Sequence, residues 1–382
     1  MPYFFVVCQS SNGTANITHA GLYNDTSSWT YYDDIVIKSY AVRVLGGEVL
    51  INKGSITNSV GGGLCCNGGN VTLGNKNSSI DDITITTTGY AQDGGGWWCT
   101  VNDNLAGADG SWDRHKTITG GHAVEINGGS LEAFNGRYIA AFGDGIVLNV
   151  PNYTGVGDRT TVNVHAGEYI GNMTNETSGD RSGPGASYGL KVFGPAIINI
   201  YDGRFDGKGG GACVSGIYDY SSTNTKQSIS YNSAYPAEVY VYEGNFGSES
   251  ATDGFMIYDY SKIVFGAYTE EQLKAKIAAG EDPLNLISIS STLAPFSINW
   301  ITFKPPSGIN SNYDDTSCDV SVYYGNYTGR FAGWNKDGNA SAVIFYNYNP
   351  GYARYNNAAS ANYQASVSNQ NNDTPVYYKK DP

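Results

Sequence analysis

Between Asp93 and Lys116 the chain concentrates side chains that could bind or cut a sugar. Trp97, Trp98 and Trp112 offer flat aromatic faces, which stack on the apolar C–H faces of sugar rings. Asp103, Asp109 and Asp113 could accept sugar hydroxyls, and Arg114 and His115 supply donors. Two carboxylates can also hydrolyse a glycosidic bond by acid/base work, and their separation sets the stereochemical outcome. Glu168 joins Asp103, Asp109 and Asp113 as the candidate catalytic set. The ligand-binding set is Trp97, Trp98, Trp112, Arg114 and His115 with Tyr240 and Tyr242 from later in the chain. In the plainer reading the tryptophans cover the side of the fold and the charges are solvated.

Other polar residues alternate with apolar ones along strand-like segments. Glu125, Glu132, Glu168, Glu238, Glu243, Tyr240 and Tyr242 fall at outward positions and could form a ladder for an extended polysaccharide. Asp144 stands in Phe142-Gly143-Asp144-Gly145, and Thr252-Asp253-Gly254-Phe255 repeats that arrangement, so Asp144 reads as a turn former. Lys191 reads as an outward strand residue. The paired Asp33-Asp34, Asp81-Asp82 and Asp314-Asp315 lack the spacing of a calcium loop. Phosphate loops, the nucleophile elbow and zinc motifs are missing, so neither a metal nor a cofactor is expected. Six cysteines, at 8, 65, 66, 99, 213 and 318, are too dispersed for a disulfide scaffold.

The elements that must position these groups announce themselves by repetition. One phrase holds two apolar residues one apart, a short turn, then Gly, any residue and an aromatic. It runs Val162-Asn163-Val164-His165-Ala166-Gly167-Glu168-Tyr169 and returns at Ile198–Phe205, Val239–Phe246 and Val320–Tyr327. Leu131–Tyr138 and Val49–Ile56 are close copies. A second phrase, a small residue and then two apolar residues one apart, gives Ala123-Val124-Glu125-Ile126, Gly145-Ile146-Val147-Leu148 and Gly189-Leu190-Lys191-Val192. Each unit therefore supplies two or three short strands of period two with Gly-rich corners, and units start roughly every 20 to 40 residues. Strands this short are stable only when stacked on neighbours.

The repeats resemble those of right-handed parallel β-helix proteins of the pectate-lyase-like superfamily, a fold shared by phage tail spikes and many bacterial surface proteins. The resemblance covers about residues 41–330 and implies an all-β solenoid of short strands with one inserted surface helix. His122, in Gly120-Gly121-His122-Ala123, is similar to the Gly-His-Gly of polygalacturonases, but the third Gly and the preceding paired aspartates are missing. The family's catalytic set therefore does not carry over. Related phage spikes imply a homo-oligomer, a trimer in that analogy, or a larger assembly.

Around this body the sequence divides into a polar segment at 1–40, the repeats at 41–332 and an Asn/Tyr-rich segment at 333–382. A helix is expected at about 269–280, where Thr269 and Gln272 have capping-box spacing and Gly280 closes the turn. The 382 residues include 50 Gly and 31 Tyr, with only 15% charged, a composition of strands and turns. A net charge of −13 repels phosphate backbones and anionic lipid, so no nucleic acid is expected as a partner. No apolar run reaches the roughly 18 residues of a membrane span, and no signal peptide is recognisable. The functional expectation is an extracellular or virion-borne attachment protein that binds a polysaccharide or cell-surface glycan. The alternatives are a polysaccharide depolymerase and a structural subunit of a filament or virion.

Overall fold

The computed structural model describes residues 16–19, 40–58, 62–87, 121–141, 143–150, 159–171, 187–216, 236–248, 253–258, 261–291, 294–299, 319–329, 334–335, 343–346, 353–357 and 377–379. Most of 1–40 and of 333–382, and the whole segment 88–120, lie outside these residues.

Strands form where β-branched and aromatic residues alternate with polar ones. Thr160–Val164, Ala196–Ile200, Ala237–Val241 and Ser261–Phe265 each alternate buried and half-buried positions. The buried set points into one core that includes Val162, Val164, Ile198, Ile200, Val239 and Val241. All pairings among the described residues are parallel, and through the middle of the chain each strand pairs with the one three places further on. Thr160–Val164 thus lies beside Ala196–Ile200, which lies beside Ala237–Val241. Glu168–Gly171 lies beside Arg204–Gly207 in the same manner.

The strands are collected in two parallel sheets, a larger one and a smaller one that contains Arg137–Ala140, Glu168–Gly171 and Arg204–Gly207. The larger sheet has two ladders joined by two long strands, Gly62–Leu73 and Val124–Ala133. The first half of Val124–Ala133 pairs with Ile146–Asn149, and its second half pairs with Thr160–Val164. The sheet therefore curls. The bend falls at Gly68-Gly69 and Gly128-Gly129, where the register between the two long strands shifts.

This overturns the expected right-handed β-helical solenoid of short strands. The protein is mostly β, with two parallel sheets, one curled into a half-barrel, and almost no helix. The long strands, of 12 and 10 residues, also exceed the expected length. The repeats encode strand period and parallel neighbours but not how the strands are shared between sheets. That division depends on backbone bends at Gly-Gly pairs that carry no side-chain signature. All-parallel sheets are covered on both faces, usually by helices. Here two helices are described, Glu270–Ala278 and the single turn Pro283–Leu286, where one was expected. Thr269 Oγ1 accepts from Gln272 N, and the Gln272 side chain returns to the Thr269 amide. No described helix is long and apolar enough to cross a membrane.

The aromatic residue that closes each repeat phrase lies inside. Tyr138, Tyr169, Phe205 and Phe246 form a buried column with ring centroids 4.8, 4.8 and 4.9 Å apart. Parallel strands sit about 4.8 Å apart, so equivalent residues stack without adjustment. Two buried tyrosine hydroxyls bond locally: Tyr169 Oη donates to the Ala166 carbonyl at 2.9 Å and Tyr327 Oη to that of Tyr324 at 2.6 Å.

Candidate functional site

The repeat phrase places a second set of side chains on the outside. Glu132, Asn163, Asn199 and Tyr240 occupy the same register position in four consecutive strands of the larger sheet. Their amides run as a chain: Asn199 Nδ2 donates to Asn163 Oδ1 at 2.9 Å, and Asn163 Nδ2 donates to Glu132 Oε2 at 2.8 Å. Glu132 Oε1 also meets His165 Nε2. Glu132 and His165 are each about one-third exposed, so the row is open to solvent. An Asn amide carries two N–H donors, so each keeps a donor beyond its bond along the row.

Two residues earlier on these strands, Glu238 and Lys262 are register partners. Glu238 Oε1 accepts from Arg159 Nη1 at 2.5 Å, and Oε2 accepts from Tyr240 Oη at 2.5 Å. Burial raises the Glu238 pKa, but the Tyr240 hydroxyl and the Arg159 guanidinium outweigh it and leave the carboxyl below its ordinary value. Burial, reinforced by the Glu238 charge, pushes the Tyr240 hydroxyl up to about 12. Lys262 Nζ stands 5.7 Å from the Tyr240 ring centroid.

On the other flank lies an outer aromatic column. Phe134, His165, Tyr201 and Tyr242 stack with centroids 4.5, 4.9 and 4.8 Å apart, and Tyr268 meets Tyr242 edge-on at 5.2 Å. These rings spend their faces on each other and turn edges outward. Lys276 bridges Glu243 at 2.6 Å and Glu281 at 3.1 Å beside this column, and Tyr268 Oη donates to Glu243 at 2.7 Å.

Of the expected site residues, Tyr240 and Tyr242 fall on this face. Trp97, Trp98, Asp103, Asp109, Trp112, Asp113, Arg114 and His115 lie outside the described residues. Glu168 is on the smaller sheet, between Arg137 (3.2 Å) and Arg204 (3.9 Å), away from the Asn row. Sequence reasoning passed over Asn163 and Asn199, although both occupy the middle of the repeat phrase.

A second cluster joins His122, Asp144 and Lys191. Asp144 Oδ2 lies 3.0 Å from His122 Nδ1 and 3.1 Å from Lys191 Nζ, and all three side chains are no more than 2% exposed. Asp144 Oδ1 accepts the Tyr188 amide at 2.8 Å. His122 Nδ1 is also 3.1 Å from the Asp144 amide nitrogen, so it either accepts from that amide or donates to the carboxylate. Lys191 Nζ stands 5.4 Å from the Tyr188 ring centroid. Burial pushes the Asp144 pKa up, and the opposing charge of Lys191 with the contacts from His122 and Tyr188 brings it below the ordinary carboxylate range. Lys191 is therefore not the solvated strand residue expected from alternation, and Asp144 does more than form a turn. The signal was there: aligning the second phrase sets His122, Asp144 and Tyr188 in one column and Glu125 and Lys191 in another.

Cys65, Cys66 and Cys213 are buried. Among the described residues no group of His, Cys, Asp and Glu is arranged to hold a metal ion. No protein-family profile, no curated protein and no solved structure matches the chain.

Proposed function

We propose that this chain is a non-enzymatic attachment protein that binds a surface glycan along the outer face of the larger sheet, at an extracellular or virion surface. The observation that carries the reading is the in-register row Glu132, Asn163, Asn199 and Tyr240 beside the outer aromatic column. Two amides about 4.8 Å apart, flanked by Glu132 and Tyr240, suit an extended, hydroxyl-rich polymer, each amide offering a donor. A net charge of −13 favours a neutral glycan over a polyanionic one. Binding rather than cleavage is favoured because the carboxylates of this face are already engaged. Glu132 is held by Asn163 and His165, and Glu238 by Arg159 and Tyr240. Assembly into a homo-oligomer would multiply a weak contact by avidity.

The test is incubation with a panel of neutral and acidic bacterial surface polysaccharides, followed by size-exclusion of protein and glycan. Co-elution with an unshortened neutral glycan is expected. A shortened glycan overturns the non-enzymatic reading in favour of a depolymerase. A protein that ignores every glycan yet elutes as a large assembly overturns it in favour of a structural subunit.

A further inference from the structure

We propose that Asp144 and Lys191 are a modification site, at which the two side chains condense into an intramolecular amide. Four features of the cluster converge on this chemistry. The amine and carboxylate meet at 3.1 Å with both side chains no more than 2% exposed, so water neither solvates the charges nor competes as nucleophile. Asp144 Oδ2 receives no aligned hydrogen bond from Lys191, although the ammonium stands 3.1 Å away. The contact with Lys191 is thus close without the geometry of a settled pair. Asp144 Oδ1 accepts the Tyr188 amide at 2.8 Å, a fixed donor where negative charge would develop on a tetrahedral carbon. His122 Nδ1 lies 3.0 Å from the oxygen that would leave.

The step balances without any other reactant. A proton crosses from Lys191 Nζ to Asp144 Oδ2, turning the ion pair into a neutral amine and a carboxylic acid; burial favours that form, and the Lys191 charge with the His122 and Tyr188 contacts opposes it. The Nζ lone pair attacks Cγ and the C–N bond forms, with charge gathering on Oδ1 against the Tyr188 N–H. His122 relays a second proton from nitrogen to Oδ2, the Cγ–Oδ2 bond breaks, and one water leaves. The ammonium and carboxylate become an amide plus water, with no change in oxidation state. The tethering of both groups by packed strands supplies the effective concentration that a free amine and acid lack.

The test is the intact mass of the purified full chain, followed by proteolytic mapping. The expected result is a chain lighter by one water, no tryptic cleavage after Lys191, and a branched peptide that joins Asp144 to Lys191. His122→Ala should slow formation on the order of 10²-fold, read as a rising fraction of the lighter mass with time. Lys191→Met should show the full mass. An uncondensed wild-type mass with ordinary cleavage after Lys191 overturns the proposal and leaves a buried ion pair. A lost water mapped to another position overturns it equally. Both readings use the wild-type protein, so they do not depend on any variant folding.

Discussion

Tyr169 stacks on Phe205 with ring centroids 4.8 Å apart and planes within 10° of parallel, at the middle of the buried column. Both rings are fully buried, and each is also stacked on its other face, on Tyr138 and Phe246. Phe205→Ala therefore removes a ring with contacts above and below, in a column whose spacing is fixed by strand pairing and cannot close over the gap. Urea denaturation should report a loss of about 3–5 kcal/mol. Phe205→Tyr should cost far less. Its hydroxyl can reach the Asp202 carbonyl as that of Tyr169 reaches Ala166.

Gly129 has φ of +84°, and a Cβ placed there would meet the Gly69 carbonyl oxygen at 2.0 Å. The clash is with backbone, so no rotamer relieves it. Gly129→Ala should destabilise by at least about 1–3 kcal/mol from backbone strain, with the steric clash in addition. Gly46, where a Cβ meets nothing within 4 Å, is the control, and Gly46→Ala should change stability by no more than about 0.5 kcal/mol. A Gly129→Ala protein as stable as Gly46→Ala would remove the Gly-Gly bend as the reason the larger sheet curls.

The same two positions explain what the sequence could and could not disclose. The phrase ending at Tyr138, Tyr169, Phe205 and Phe246 revealed strands, their period and their stacking, because a buried aromatic at fixed spacing has few other uses. The helix at Glu270–Ala278 was legible from Thr269 and Gln272 for the same local reason. The division into two sheets was hidden, since Gly68-Gly69 and Gly128-Gly129 bend strands that composition treats as corners. The buried charges were hidden by judging each residue alone. Asp144 resembles a turn former until the alignment of units sets it between His122 and Tyr188, with Lys191 one column over, and only three-dimensional contact shows one oxygen facing both His122 and Lys191. Asn163 and Asn199 were missed because a polar residue between two valines or isoleucines is the ordinary outward position of any strand.

The Glu238 and Tyr240 pair predicts a stability plateau with two opposite edges. Glu238 has a native pKa below its ordinary 4.5, so its contribution is complete above that value and is lost as pH falls through the lower native one. Tyr240 is raised from 10.0 to about 12, so its contribution is complete below 10 and is lost as pH rises toward 12. Glu238→Gln should flatten the acid edge relative to wild type and lower the alkaline one, since the carboxylate also helps raise Tyr240. Thermal melts of the two proteins from pH 3 to 11 read the difference directly. Identical pH profiles would show that the Arg159–Glu238–Tyr240 contacts do not persist in solution.

The Asn row makes a prediction that separates it from every other polar surface of the molecule. A hydrogen bond from an amide to a neutral sugar hydroxyl contributes about 0.5–1.5 kcal/mol, so Asn163→Ala and Asn199→Ala should each weaken glycan binding roughly 2- to 12-fold. Asn199→Ala also removes the bond to Asn163, so the double variant should lose less than the product of the single losses. Arg204→Ala is the contrasting change. Its side chain is 53% exposed and sits on the smaller sheet with Glu168 and Asp206, so binding should stay within the error of the titration. Calorimetric titration of the wild type and the four variants with the glycan that co-elutes in the panel measures all of these. Equal losses for Arg204→Ala and the Asn variants would place the ligand elsewhere, and weakening confined to the Asn variants would place it along the row that ends at Tyr240.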